Sequence, residues 1–367
     1  MKVQYENFME YLFAKASGSG TPLAGTFELT SRCNLDCRMC YIHRRENDAE
    51  AAANEKSTDW WLSLAQKAQS MGMLTLLITG GEPLLRPDFE EIYRECHKLG
   101  LLLQVNTNGT LINEEKVQFF KQYPPQRLNI TLYGASRDTY AKLCGKGEAY
   151  DRVMNAINRL TEENIPVKLN FTDTAYNCCD AEKIMAFAKE KDLPIQTVTY
   201  AFPPVRACEK GCYEAVRMSA EDAAKEQIKL QKLRYGEEGF RKRVEAFAKG
   251  NPIPPENDEC QELPTDKIRC RAGDTTFWIT WDGDMRPCGM MLSPSVKAEP
   301  FPEAWSAIRA SREEILMPPK CMKCDLKPLC DICAAVCYAE TGQFDKVPGY
   351  ACEKTKALWA LGKENIE

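Results

Sequence analysis

Histidine is nearly missing from this chain: 367 residues carry two, His43 and His97. That scarcity argues against a mechanism built on imidazole acid–base chemistry and leaves Cys/His zinc sites poorly supplied. Long apolar runs are missing as well. No stretch approaches the roughly 20 residues that cross a bilayer, and the first 24 residues lack a basic segment followed by an apolar one. The location read from this pattern is cytoplasmic. There is no excess of positive charge either, with 48 Lys and Arg against 53 Asp and Glu and a net charge of −5. Nucleic acid is therefore not the default partner. Long repeats and low-complexity tracts do not occur.

Cysteine, by contrast, is abundant, with 18 in the chain. Without a secretory signal they do not read as disulfides, and their clustered spacing is that of metal ligands. The first cluster is Cys33, Cys37 and Cys40, in CNLDCRMCY, just after the short apolar segment Phe27 to Leu29. A structural zinc or a fully ligated Fe–S cluster wants four protein ligands. Three thiolates on one loop suit a [4Fe–4S] cluster with one iron left open; the alternative is a zinc knuckle that borrows a distant fourth ligand.

The pattern from about 25 to 205 alternates short apolar strands with amphipathic helices. Strands are expected at Thr26–Thr30, Thr75–Thr79, Leu101–Thr107, Arg127–Tyr133, Val167–Thr172 and Gln196–Phe202. Helices are expected near Asp59–Ser70, Asp88–Lys98, Glu114–Gln122, Asp151–Glu163 and Ala181–Lys191. Six βα repeats predict an α/β fold, a partial (β/α)6 barrel of TIM type, with ligands at the C-terminal strand ends. Residues 1–24 form an N-terminal extension. Residues 206–262 read as a helical linker with a solvated charged face, ending in the Pro-rich NPIPPENDE. From 263 to 367 cysteines are dense and long periodic elements scarce. One hairpin is expected there, TTFWITWDGDMRP, with Asp-Gly at its turn, and metal clusters would act as the staples.

Residues 25–205 resemble the radical S-adenosylmethionine (radical SAM) superfamily. The resemblance rests on CNLDCRMCY, then TGGEP (Thr79–Pro83), NTNGT (Asn106–Thr110) and LNITLYGAS (128–136) at successive strand ends. It implies that Cys33, Cys37 and Cys40 hold a [4Fe–4S] cluster whose open iron binds S-adenosylmethionine. It further implies cofactor contacts from Tyr41, Gly80, Gly81, Glu82, Pro83, Asn106, Asn108, Ser136 and Asn170, with the Glu82 carboxylate available to an ammonium. Met39 stands where the family commonly has an aromatic. Turn chemistry is the alternative for Ser136 and Tyr133, and a satisfied buried amide for Asn170. The implied reaction is reductive cleavage of S-adenosylmethionine to a 5′-deoxyadenosyl radical that removes hydrogen from an unactivated C–H bond.

The C-terminal cysteines resemble a second pattern, the SPASM domain. Cys270, Gly283 and Cys288 are followed by Cys321, Cys324, Cys330 and Cys333, and then Cys352. The spacing CDIC is one residue short of the usual pattern, and Cys337 is extra. The resemblance implies two auxiliary [4Fe–4S] clusters, three clusters in all. Cys270, Cys288 and Cys333 would serve the inner one, and Cys321, Cys324, Cys330 and Cys352 the outer. The inner fourth ligand is left to Cys337, Cys260 or a linker cysteine, or to substrate. Such enzymes mostly modify peptides or proteins. The expected activity is oxidation or crosslinking of a ribosomally made peptide, with a flavodoxin- or ferredoxin-type electron donor. Only about 24 residues precede the first strand, too few for a winged-helix recognition domain, so a separate leader-recognition protein is an expected partner. Alternatives are formylglycine maturation of a sulfatase, radical oxidation of a small metabolite, a non-catalytic Fe–S electron carrier, and a zinc-binding interaction protein.

Catalytic acid–base candidates are Asp274, Asp282 and Tyr133, with β-turn surface carboxylates as the plainer explanation for the two Asp residues. Cys96 and Cys144 read as buried small apolar groups. Cys178, Cys179, Cys208 and Cys212 read as structural, His43 as a neighbour of the cluster loop, His97 as surface, and Trp278 and Trp281 as packing.

Overall fold

The computed structural model describes residues 5–42, 44–204, 206, 213–249 and 270–365. Its centre is a sheet of nine strands: β1 (Ala24–Glu28), β2 (Thr75–Thr79), β3 (Leu102–Thr107), β4 (Arg127–Thr131), β5 (Val167–Thr172), β6 (Ile195–Val198), β7 (Thr276–Ile279), β8 (Asp284–Arg286) and β9 (Val296–Lys297). The spatial order is β9-β8-β7-β1-β2-β3-β4-β5-β6. All pairs from β7 to β6 are parallel, and β7-β8-β9 is an antiparallel meander.

The six barrel strands fall where the alternating pattern puts them, with shifted ends: the first starts two residues earlier, and the fourth and sixth stop short of Tyr133 and Phe202. Helices α1 (Thr58–Ser70), α2 (Phe89–Lys98), α3 (Glu114–Gln122), α4 (Arg137–Cys144), α5 (Ala149–Glu162) and α6 (Ala181–Glu190) connect the strands. α4 is an addition to the sequence reading. Ser136 caps it, its Oγ accepting from the Thr139 N–H at 3.1 Å. Period-2 burial separates the two faces of the sheet. Phe27, Leu76, Ile78, Leu103, Val105, Leu128, Ile130, Leu169 and Phe171 are buried in the core. The alternate residues Thr26, Glu28, Asn106, Asn129, Asn170 and Thr172 give the barrel a polar interior.

The cysteine-dense segment does not stand apart from the barrel. Its hairpin lays β7 along the otherwise free edge of β1, in the register Ala24↔Thr276 to Phe27↔Ile279. An unpaired edge strand needs covering, and β7 covers this one. Phe277 lies beneath the junction, with its ring 5.1 Å from Phe301 and 6.0 Å from Trp305. Farther along, α7 (Ala220–Ala248) breaks at Gly236, φ +72°, and packs on the C-terminal helix α8 (Gly349–Glu364), where Phe247 meets Trp359 edge-on at 4.9 Å. Arg217 pairs with Glu340 and stacks on the Tyr350 ring at 3.5 Å, joining the stretch after the barrel to the C-terminal region. Among the described residues, no helix is long and apolar enough to cross a membrane.

One buried charge strains this frame. Asp173, just past β5, is 1% exposed, and neither carboxylate oxygen has a partner among the described residues. Burial, reinforced by Glu226, raises its pKa to about 7. The folded state therefore holds a proton that the unfolded chain has released, between the ordinary carboxylate range and pH 7, and stability falls as pH rises through that window. Asp173→Asn is expected to raise stability at pH 8 and to flatten its decline between pH 4 and 7, checked by urea unfolding across that range.

Candidate active site

The three cysteines sit on the loop that leaves the C-terminal end of β1. Two glycines hold that loop in place. Gly81 N donates to Thr30 O at 2.8 Å and Glu82 N to Arg32 O at 2.9 Å. A Cβ on Gly80 would lie 2.4 Å from Thr30 O, and one on Gly81 2.3 Å from Arg32 O. Gly80 also has φ +150°, so both positions demand glycine. Arg32 fixes the loop from outside, its Nε and Nη2 donating to the Glu55 carboxylate at 2.8 and 3.0 Å.

NTNGT closes the next side. Asn108 Nδ2 donates to Asn34 Oδ1 at 2.9 Å and lies 3.6 Å from Cys33 Sγ, and Asn34 Nδ2 donates to Thr110 Oγ1 at 2.8 Å. Glu82 is the tie between the two glycine-containing segments. Its carboxylate accepts from Thr107 Oγ1 at 2.8 Å, Asn108 N at 2.7 Å and Leu84 N at 3.1 Å. It is wholly buried, and burial raises its pKa to about 7 against those three donors. The carboxylate expected to be available to an ammonium is thus already tied to three of the chain's own N–H and O–H groups, two on Oε1 and one on Oε2. Pro83, buried, starts the tight turn that follows.

Each thiol of the loop is pushed well above the usual range. Desolvation leads for Cys33 and for Cys40, the latter to about 12. Cys37 is raised first by hydrogen bonding to the Cys144 thiol, then by burial, while the Tyr133 hydroxyl opposes. A positive centre bound there would release these protons, so loading is coupled to pH. Cys144 thus touches the loop, which its apolar reading did not anticipate; α4 docks its C-terminal end there, with Asp36 N and Arg38 N donating to Cys144 O and Leu143 O, both at 3.0 Å. Tyr133, a proposed acid–base group, points its hydroxyl at Cys37. The Ser136 hydroxyl is occupied as the α4 cap, Asn106 Oδ1 accepts from Asn129 Nδ2 at 2.8 Å, and Asn170 lies half-buried on β5.

Two further cysteine groups form. Cys270, Cys288 and Cys333 come together: the Cys270 charge acts on Cys288, those of Cys288 and Cys270 act on Cys333, and burial raises all three, Cys288 to about 11. Cys321, Cys324, Cys330 and Cys352 line one cavity with Leu326, Ile332, Val347 and Thr355. Cys337 is fully buried in a cluster against which Cys270, Cys288 and Cys333 pack, and the charges of Cys321 and Cys330 reach it as well, so it lies between the two groups. Cys260, Cys208, Cys212 and His43 lie outside the described residues. Cys96 is buried in the core, Cys178 is half-buried and Cys179 exposed. His97, read as surface, is half-buried between the Tyr93 and Tyr123 rings. Among the described residues no three His, Cys, Asp or Glu side chains could hold a single metal ion. A four-iron cluster instead spreads its thiolates around a cube, and three thiols on one loop and four around one cavity suit it.

The hairpin places the remaining candidates apart. Asp274 precedes β7, at the end of the sheet opposite the cysteine loop, 3.6 Å from Arg309, which removes it from the site. Asp282 is at the β7–β8 turn and accepts from Thr280 Oγ1 at 2.6 Å. Trp278, read as packing, donates from Nε1 to Glu28 Oε2 at 3.1 Å. Glu28 and Arg206, unmarked by any motif, form a buried ion pair beside Tyr41, whose carbonyl accepts from Arg206 N at 2.9 Å. A charged residue ending an apolar strand was the signal available for Glu28.

A loop of three thiols clamped by a Gly-Gly turn at the mouth of an open parallel barrel defines a radical SAM site. Residues 27–177 match the Radical SAM superfamily, which makes this part of the chain a radical SAM domain. The AdoMet-dependent heme synthase of Methanosarcina barkeri is 28% identical over 337 residues, 89% of this chain and 95% of the relative. Among solved structures, anSMEcpe with bound AdoMet matches at TM-score 0.69 and 17% identity, covering 94% of each chain. Streptococcus suis SuiB bound to precursor peptide SuiA matches at 0.67 and 17%, covering 96% of this chain and 82% of SuiB.

Two outcomes test this site. Cys40→Ala should cost the reconstituted protein about four irons per chain, one [4Fe–4S] cluster, by iron assay. Glu82→Gln should lower stability by about 2 kcal/mol in urea unfolding, because it sets an amide N–H against donors that need an acceptor.

Proposed function

We propose that this enzyme oxidises a carboxylate-bearing small molecule of the heme type, by hydrogen abstraction followed by loss of a second electron to auxiliary clusters. The observation that carries the oxidative reading is the placement of the two cysteine sets. Cys40 and Cys288 both feel the Arg206 charge, and Tyr41, next to Cys40, feels that of Cys288. The substrate class is supported by similarity to a heme synthase over nearly its whole length.

Cys33, Cys37 and Cys40 would hold a [4Fe–4S] cluster, which when bound would supply the one-electron reduction that S-adenosylmethionine needs for hydrogen abstraction. The chain's own residues do the rest. Gly80 and Gly81 bring backbone close to the cluster loop, Asn108 and Leu35 donate toward Cys33 Sγ, and the polar barrel interior holds the substrate. We place two auxiliary [4Fe–4S] clusters, one on Cys270, Cys288 and Cys333 and one on Cys321, Cys324, Cys330 and Cys352, as in a SPASM domain. An external flavodoxin- or ferredoxin-type protein would deliver the first electron.

A peptide substrate is the second reading, favoured by the fold shared with SuiB and anSMEcpe. Anaerobic assay of the iron-loaded, reduced chain separates the two. An iron porphyrin with free carboxylates is expected to stimulate 5′-deoxyadenosine formation and to be consumed. Stimulation by cysteine-containing peptides, with the porphyrin inert, would overturn the small-molecule reading.

A further inference from the structure

Glu28, Arg206 and Trp278 form a line of contacts past the C-terminal end of β1, and Arg286 lies on the strand beside Trp278. Arg206 Nη1 and Nη2 donate to the two Glu28 oxygens at 2.6 and 2.7 Å, and Trp278 Nε1 donates to the same carboxylate. Arg286 stands directly opposite Trp278 in the β7–β8 register, on the same face of the hairpin. Its Nε donates to Ser295 Oγ at 3.1 Å, and its Nη2 lies 3.6 Å from Asp284 Oδ2. Both arginines are about nine-tenths buried, with Arg286 9% exposed and the Arg206 side chain 10%. Each still has one enclosed nitrogen with no partner among the described residues: Arg206 Nε and Arg286 Nη1. Buried donors on a cation are costly to leave unpaired. Glu28 and Asp284 occupy other edges of these two groups. Asp282, whose charge reaches both, is held by Thr280 at the turn.

We propose that Arg206 and Arg286 form a carboxylate-binding subsite between the Cys40 loop and the Cys288 loop, which orients the substrate by its acid group. A carboxylate offers two acceptor oxygens to two guanidinium N–H groups and places negative charge between two positive ones. The subsite rests on the reading above that an acidic small molecule enters the barrel mouth. It adds the residues that would recognise it, and it puts the bound acid beside both cysteine sets.

The probe is 13C-carboxyl propionate, titrated into the iron-loaded full chain, with propionamide as the uncharged comparison. Paramagnetic clusters on both sides should broaden the carboxyl resonance of bound propionate and leave propionamide sharp. Arg286→Met and Arg206→Lys should each weaken propionate binding by about 10- to 100-fold, the loss of one charge-assisted contact, with iron content and thermal unfolding confirming folded protein. Arg286→Lys should retain part of the affinity. Unchanged propionate broadening in Arg286→Met would overturn the subsite, as would equal broadening of propionamide. An altered cluster EPR signal in Arg286→Met, with propionate binding intact, would assign the N–H groups to the cluster and also overturn it. 5′-Deoxyadenosine production by the same preparations separates this failure from failure of the enzyme reading: AdoMet cleavage without propionate binding sinks the subsite alone.

Discussion

The pairing of β7 with β1 is the constraint on which the rest of the molecule depends. β1 carries the cysteine loop at its C-terminal end and, without β7, would be an edge strand of the parallel sheet. By covering it in parallel register, β7 fixes the height of the hairpin against the loop. Trp278 then reaches Glu28, Glu28 holds Arg206, and Cys288 follows β8 by two residues. One backbone pairing thus sets the spacing between thiols on the barrel and thiols on the C-terminal segment.

The cysteine loop is held by a different device. Glycine backbones at 80 and 81 lie against Thr30 and Arg32, and a buried carboxylate, Glu82, gathers N–H and O–H groups from the adjoining strand end. These are short-range contacts in a water-poor setting, where each hydrogen bond is stronger and each missing one is more costly. The thiols they surround are held neutral by burial and by one another. Binding of positive charge at this loop is therefore coupled to release of the thiol protons.

Much of this was legible in the residues. The six strand positions and the hairpin with Asp282-Gly283 at its turn follow from period and turn chemistry, which are local signals, whereas the grouping of Cys270 with Cys288 and Cys333 comes only through the resemblance to the SPASM pattern. The partnership of β7 with β1 was not legible, since it joins residues some 250 positions apart and leaves no local pattern. The same distance hid the meeting of Glu28 and Arg206, neither of which sits in a motif, with the hairpin that carries Arg286. Asp274 shows the converse limit: proximity in sequence suggested a shared site, while strand direction put it at the other end of the sheet.

The central claim is that the three-thiol loop leaves one iron site for S-adenosylmethionine while the other cysteine groups do not. EPR of the reduced, fully iron-loaded chain tests this most directly. Addition of S-adenosylmethionine is predicted to shift one cluster signal and leave the remaining signals as they were. A spectrum that does not change on addition, with all clusters in place, would contradict the account.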